Sequence, residues 1–552
     1  MELRVPVDTR VRVVVVTLKL GRETDMRWLT LVQRSAIRQK KIYTRGSDHI
    51  GAMKNRQHQI GKYVPFNRTF LLLVALLCAC HLNAQTRPAR SRNTFLIVSD
   101  IHFNPMFDAA LVPKLVASEP AQWEAILGQS KKAAFSQYGE DTNWWLLQSS
   151  FKAMRATLAH PAFIMTNGDM LAHQFPKTFQ SITHDNDRED YRKFVRKTIQ
   201  FLALQFRKAY PEAAILVTPG NNDDECGNYA IYANGEFLHD TAELASKLAH
   251  AGGDFKSSWE ALGSYDIPNP AIADAHIISL NSIFLSELYH AQNFNDGCAV
   301  TATTAPDDLL SWLESRLNKA RQAHEKVWLM FHIPPGIDSY TTMHKYQVLL
   351  KTKSEQPSEQ VCDSALVPMW APKWTSQFDD LLVKYKETIL ASFAGHTHSD
   401  DFRIIDPSSS NPEFVLISAS ISPVYNQNPS FRTVTFAKDG TLIDSSVYYL
   451  TNLTFASSTT PGEWEREYTF SQQWKVPRID GASLATVYGK VTSKQADSDE
   501  WLKLYNVSSS AVFLPANAAV GFECAIEGLA PDAYTSCYCK VEPNRSAPGS
   551  VR

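Results

Sequence analysis

The chain has 552 residues, enough for a large core and more than one domain. Hydrophobic residues make up 44% and charged residues 20%, a balance that excludes a disordered chain. The formal net charge of -2 excludes a global basic field, so nucleic-acid binding is not expected and specificity must reside in a local site.

Residues Met1 to Ala52 carry scattered Arg and Lys and one valine-rich run, Val11 to Leu20. Met53, Lys54 and Arg56 then open a basic stretch that continues through Lys62 and Arg68. An apolar run follows from Phe70 to Ala79, and after it His81-Leu82-Asn83-Ala84-Gln85. Basic, apolar, then a cleavable tail is the order of a secretory signal peptide. The apolar run is about half of the ~20 residues a membrane span needs, so no stable span is expected in the mature form. Residues 1-52 therefore read as an upstream extension outside the mature fold, with Met53 as the start. Residues 53-84 read as the signal peptide of a secreted or periplasmic protein that begins near Gln85. A lipid anchor on Cys80 is the alternative, although Cys78 is an unusual neighbour for that signal.

Six Cys remain beyond that segment: Cys226, Cys298, Cys362, Cys524, Cys537 and Cys539. An even number in an exported chain predicts disulfides. The expected pairs are Cys298 with Cys362, and Cys524 with Cys537 or Cys539.

From Asn93 onward, short continuous apolar runs predict buried strands. In chain order they are Phe95 to Val98, Ala162 to Met165, Ala214 to Val217, His276 to Leu280, Val327 to Phe331, Ile389 to Phe393 and Phe414 to Ile417. Helical patterns lie between them, for example Trp145 to Leu158, Tyr191 to Ala209 and Asp307 to Ala323. This alternation predicts an α/β fold with a central sheet covered on both sides. Residues 93-450 form the expected catalytic domain. Thr451 to Gly462, rich in Ser, Thr and Asn, reads as a linker, and 463-552 as a small Cys-containing C-terminal cap.

In open α/β sheets, function collects at the carboxyl ends of strands. Five of these runs end in metal-capable residues: Asp100-Ile101-His102, Asn167-Gly168-Asp169, Gly220-Asn221-Asn222-Asp223, His332, and Gly395-His396-Thr397-His398. Each motif alone is weak, because a Gly-Asp after a strand is usually only a turn. All five in this order, each after a hydrophobic run, point to a metal centre. Imidazole with carboxylate and amide oxygen suits zinc, iron or manganese rather than an all-oxygen calcium site. No Cys belongs to the set, which argues against a structural zinc finger.

The order D-x-H, G-D, G-N-N-D, H, G-H-T-H resembles that of the calcineurin-like metallophosphoesterases. Gly168-Asp169-Met170-Leu171-Ala172-His173 is similar to the G-D-x-x-x-H of their acid sphingomyelinase-like phosphodiesterase branch. The run Ser418 to Arg432 resembles that branch's S-x-S-I-S-P-x-x-x-x-N-P-x-F-R. The resemblance covers Asn93 to about Leu450, and the Cys-bearing tail more loosely. It implies a four-layer α/β sandwich and two divalent ions, zinc first, with iron or manganese as alternatives. Asp100, His102, Asp169 and His398 would hold one ion. Asp169 would bridge, and Asn221, His332 and His396 would complete the second. A hydroxide shared by the two ions would attack phosphorus in line.

The resemblance also implies catalytic roles. His173 is the expected general acid for the leaving group. Asn222 stands where most relatives carry a His, and it cannot donate a titrating proton, which moves that role toward His173. The G-N-N-D form resembles endopolyphosphatase-like members of the branch. Tyr138-Gly139-Glu140-Asp141-Thr142-Asn143 occupies the place of a Cys-Asp-Ser-Pro in animal relatives, so one family disulfide is expected to be absent.

The expected function is an exported two-metal phosphodiesterase of the acid sphingomyelinase-like type. The alternative is an endopolyphosphatase or nucleotide phosphohydrolase; a non-catalytic binding protein would require a lost ligand, and all seven are present. The expected substrate is a phosphoester, its class set by a phospholipid head group, a nucleotide or a polyphosphate. Loops Asp224 to Asp240 and Asp338 to Pro368 carry Tyr229, Tyr232, Phe237 and Tyr340, which either line a substrate groove or pack internally. Asn281, after the fourth run, is placed to reach the site or to cap a turn. His160, His239, His250, His276, His290, His324 and His344 have no motif around them.

Overall fold

The predicted apolar runs become strands because each is buried on both faces and bounded by turn residues. In a computed structural model of the chain, residues 14–20, 27–33, 93–185, 187–291, 304–352, 358–512, 514 and 518–540 are described. The signal segment 53-84 and Cys298 lie outside them. The chain divides into two compact units, Met1–Gln85 and Thr86–Arg552. In the first, β1 (Val14–Leu20) and β2 (Arg27–Gln33) form an antiparallel pair.

The second unit holds two six-stranded mixed sheets. One has the order β14-β13-β12-β3-β4-β5, built from β3 (Thr94–Val98), β4 (Ile164–Thr166), β5 (Ile215–Val217), β12 (Ser430–Phe436), β13 (Leu442–Leu450) and β14 (Trp464–Thr469). The other has the order β10-β11-β9-β8-β7-β6, from β6 (Tyr265–Pro268), β7 (Ala275–Leu280), β8 (Lys326–Phe331), β9 (Ile389–Ala394), β10 (Asp401–Ile405) and β11 (Glu413–Ile417). All seven predicted runs are strands. They fall in two sheets, the arrangement of the expected four-layer α/β sandwich with central β-sheets flanked by helices. β3, β4 and β5 are mutually parallel in one, while β7, β8, β9 and β11 are parallel in the other. Antiparallel strands complete each sheet at its margins, and none of these carries the continuous apolar run that marks a strand buried on both faces.

Aromatic side chains from both sheets pack together. Phe95 lies 4.7 Å from Phe163, 5.3 Å from Trp328 and 5.6 Å from Phe393, measured between ring centroids. All four are fully buried or nearly so. Burying such rings dominates the energetics of a core, and their mutual geometry adds about 0.5–1.5 kcal/mol per pair. The predicted helices form at Trp144–Thr157, Arg188–Ala209 and Ala305–Ala323. Asn143 caps the first by accepting from the Leu146 amide, and Asp187 caps the second through the Glu189 and Asp190 amides.

Strand β14 is hydrogen-bonded to β13, so the chain after 462 begins as part of a sheet. Helices Gly481–Ser493, Gln495–Tyr505 and Ala518–Glu527 follow. Disulfides join Cys362 to Cys539 and Cys524 to Cys537. The second fits one of the two expected alternatives. The first overturns the Cys298–Cys362 pairing: Cys362 sits on the short helix Glu359–Asp363, which folds against the end of the tail.

Candidate metal centre

The two sheets pack face to face through Phe95, Trp328 and Phe393, and the residues that follow their parallel strands meet in one cluster. Asp100 and His102 follow β3, Asp169 follows β4, Asn221 follows β5, His332 follows β8, and His396 and His398 follow β9. The chain turns sharply at each exit. Asp100, His102, Asp169, His396 and His398 all adopt positive φ, between 43° and 72°. Such a conformation costs on the order of 1–3 kcal/mol for a residue with a side chain and persists where surrounding structure enforces it. Glycine permits the approach at two points. A Cβ on Gly220 would stand 2.0 Å from the Asp169 amide nitrogen, and one on Gly395 would stand 2.0 Å from Ser99 Oγ.

Asp169 is the hub. Its Oδ2 lies 3.3 Å from His102 Nε2 and 3.3 Å from His332 Nε2. On one side, His102 Nε2 is 3.1 Å from His398 Nε2, which is 3.4 Å from Asp100 Oδ1. On the other, His332 Nε2 is 2.8 Å from Asn221 Oδ1 and 3.2 Å from His396 Nδ1. All seven residues expected as ligands are thus brought together, in the two groups that the resemblance implies.

The imidazoles are oriented from behind. His102 Nδ1 donates to the Leu171 carbonyl at 2.9 Å and His332 Nδ1 to the Asn167 carbonyl at 2.6 Å, so each Nε2 faces the cluster. Gln427 Nε2 approaches His398 Nδ1 at 3.2 Å. Burial drives His102 down to about 4 and His396 down to about 3, and holds His398 well below the usual range; all three are neutral, ligand-competent imidazoles. Burial also opposes charge on Asp169, but His332 and His102 outweigh it and hold the carboxyl well below its ordinary value. Burial opposes charge on His332 as well; Asp169 wins and lifts it to about 9. Asp169 and His332 thus each favour the charged form of the other. Carboxylate, imidazole and amide donors facing inward within a few ångströms fit divalent ions of the zinc, iron and manganese type.

Asn222 clamps the hub. Its backbone N–H donates to Asp169 Oδ1 at 2.8 Å and its side-chain amide to Oδ2 at 2.9 Å. Asp223 ties the neighbouring loops together: Oδ1 accepts from the Met170 and Leu171 amides at 2.6 and 3.0 Å, and Oδ2 from the Gly220 amide at 2.8 Å.

His173 stands at the rim. Its side chain is 24% exposed, whereas those of His102, His332 and His398 are sealed. The ring stacks on His102 with centroids 4.0 Å apart. Asp141 holds it twice, Oδ1 to Nδ1 at 2.9 Å and Oδ2 to the backbone N–H at 2.8 Å. Burial opposes charge on His173, but the bond to Asp141 outweighs it and raises the pKa above the ordinary value.

Sequence reasoning missed Asp141 as a functional residue; it lies in the segment read only as a lost Cys-Asp-Ser-Pro. It also missed Gln427 and the ion pair between Arg432 and Asp400, although both Gln427 and Arg432 belong to the Ser418 to Arg432 motif. That motif runs along the site, with the Ile421 and Ser422 amides donating to the Ser99 and Asp100 carbonyls at 3.1 Å each. Tyr229 lines the site, its hydroxyl 3.4 Å from His396 Nε2, whereas Phe237 packs in the core. Asn281 makes no side-chain hydrogen bond to the cluster.

Parallel strands from two sheets, ending in one carboxylate hub flanked by imidazoles, define a metallophosphoesterase. The chain belongs to the calcineurin-like phosphoesterase family, whose pattern matches residues 94–400. It is similar to sphingomyelinase phosphodiesterase D of Dictyostelium discoideum, 24% identical over 455 residues covering 77% of this chain and 90% of that protein. Human acid sphingomyelinase-like phosphodiesterase 3b is 23% identical over 457 residues, 80% of this chain and 89% of that protein. The rat cyclic GMP-AMP phosphodiesterase SMPDL3A is 25% identical over 470 residues, 80% of this chain and 91% of that protein. The chain accordingly falls in the acid sphingomyelinase-like branch and is a hydrolase acting on phosphoesters.

Proposed function

We propose that this chain is an exported phosphodiesterase that works with two divalent ions, zinc first among them, in a catalytic domain spanning 93-450 followed by a cap region at 463-552. The observation that carries the reading is Asp169 Oδ2, equidistant at 3.3 Å from imidazole nitrogens of two separate groups. Asp100, His102, Asp169 and His398 would hold one ion, and Asp169, Asn221, His332 and His396 the other. Bound there, the ions would supply Lewis acidity to the phosphoryl oxygens and lower the pKa of the attacking water.

The chain's own groups do the rest. Asn222, with donors on both Asp169 oxygens, keeps that carboxylate oriented between the two groups. His173, partly exposed and held by Asp141, is placed to give a proton to the departing oxygen; Asp141 fixes the ring and favours its protonated form. Disulfides within the folded chain support passage through an oxidising compartment.

Hydrolysis of bis(p-nitrophenyl) phosphate by the purified chain, with and without chelator and beside Asp169→Asn, tests the reading. Activity that is removed by chelator, restored by zinc and absent in the variant supports it. Activity indifferent to chelator, or retained by Asp169→Asn, would refute it.

A further inference from the structure

Beyond the metal centre, the loop that carries Asn221 and Asn222 runs on into two buried acids, Asp224 and Glu225, 1% and 5% exposed. Asp223 beside them has amide donors on both oxygens, whereas this pair is poorly served. Asp224 Oδ1 accepts from the Cys226 amide at 2.6 Å. Asp224 Oδ2 and Glu225 Oε1 are buried with no hydrogen-bond partner among the described residues. A third such atom comes from a different element. Tyr191, on the helix Arg188–Ala209, has its hydroxyl buried and equally without a hydrogen-bond partner among the described residues. Burial, then the charges of Asp224 and Glu225, raise the pKa of that hydroxyl, so its oxygen lies within electrostatic reach of both.

A buried carboxylate oxygen without a donor is unfavourable, and in a native fold it signals a partner. The neighbouring arginines do not supply one. Arg192 acts on Glu225 but is already shared among Glu189, Glu236 and Asp240, at 3.5, 3.0 and 2.8 Å. Arg188 is exposed, with one guanidinium nitrogen 3.5 Å from Cys226 Sγ. Burial, then the charge of Glu225, holds Asp224 well above the ordinary carboxyl range, and burial raises Glu225 against the pull of both arginines. Donor atoms of Asp224, Glu225 and Cys226 lie within 4.8 Å of one another, close enough to face one ion. The Cys226 sulfur is engaged in a disulfide and offers no thiolate, which leaves an all-oxygen donor set.

We propose that Asp224 and Glu225, with the Tyr191 hydroxyl, hold a structural divalent cation of the hard, oxygen-seeking kind, calcium first, separate from the metal centre. Calcium takes carboxylate, neutral oxygen and water donors in a flexible shell, and one such ion satisfies both carboxylates at once. Its role is to brace the loop. The Gly227 amide donates to the Asp224 carbonyl at 3.1 Å and the Tyr229 amide to the Asn221 carbonyl at 2.8 Å, while Asn221 Nδ2 donates to Asn228 Oδ1 at 2.6 Å. An ion at the acid pair therefore stiffens the turn that aims Asn221 at His332. The inference does not depend on the reaction proposed above.

Equilibrium dialysis of the zinc-saturated chain against radioactive calcium tests the site, in the wild type, Asp224→Asn and Glu225→Gln. The expected result is one calcium per chain in the wild type and binding weaker by about tenfold or more in each variant. Hydrogen exchange of the wild type locates the ion without any substitution, so a variant that fails to fold does not weaken the test. Calcium should slow exchange of the backbone amides between Asp223 and Tyr229. Four results each overturn the proposal. The wild type takes up no calcium at about 10 mM, a level that fills even weak extracellular calcium sites. Further zinc displaces the calcium, which assigns it to the metal centre. A folded variant binds calcium undiminished. Protection by calcium falls only on other segments.

Discussion

The imidazole of His173 lies face to face with that of His102, ring centroids 4.0 Å apart and planes 20° from parallel, while Asp141 grips it from the far edge at 2.9 Å. A group so held is immobile yet open to solvent on one side, the arrangement a proton donor needs. His173→Gln is expected to slow hydrolysis of diesters with alkoxide leaving groups by about 10²–10⁴-fold. Loss on p-nitrophenyl esters should be far smaller, since that leaving group departs without a proton. Steady-state rates on both ester types, with metal content read by elemental analysis, check this; equal loss on both would assign His173 to structure or metal binding instead. Asp141→Asn is expected to share the leaving-group dependence, with a smaller effect.

The double grip of Asn222 on Asp169 makes a second expectation. Asn222→Ala removes the side-chain donor 2.9 Å from Oδ2 and leaves the backbone donor in place. Residues that orient a ligand from behind are worth about 10–100-fold in metal affinity. Zinc titration against a competing chelator should show weakening of that order, with rates recovering at saturating zinc. A variant that binds zinc as tightly as the wild type would count against the clamp.

Cys362 and Cys539 are 177 residues apart. A crosslink over so long a loop restricts the unfolded chain strongly, and losing one costs about 2–5 kcal/mol. Replacing both by Ser is expected to lower the denaturation midpoint by a corresponding amount. Near-identical unfolding curves would show that packing of the tail, rather than the bond, holds it.

Glu413, on β11, is pushed up to about 8 by burial first and by Glu387 second. Its folded pKa exceeds its unfolded value, so the folded state binds the proton more tightly. That contribution is fully present below about 4.5 and is lost as pH rises through about 8. Glu413→Gln keeps the neutral form at every pH. The variant should match the wild type in thermal midpoint at pH 4 and exceed it at pH 9. Equal midpoints at both pH values would show that the carboxyl is not confined as the fold implies.

The strand runs from Phe95 to Ile417 were legible because a strand covered on both faces must be apolar throughout, a property of a few consecutive residues. The proposed ligand set was legible for a related reason: Asp100, His102, Asp169, Asn221, His332, His396 and His398 each sit just beyond such a run, where a parallel sheet exposes its strand ends. Margin strands such as β13, with one side less buried, carry no comparable run and were not anticipated.

Tertiary structure alone decided the rest. The division of the runs between two sheets depends on which strands neighbour one another, information absent from any single segment. Asp141 reaches His173 across 32 residues, and Gln427 reaches His398 across 29, in loops whose local sequence specifies turns and not partners. Cys362 chose Cys539 over Cys298 because the tail folds back onto the helix that bears it. Sequence determined which side chains stand at the strand ends, because short-range burial and turn geometry place them there. Only the packed fold determined what holds them, because contacts between distant segments form where surfaces meet in three dimensions.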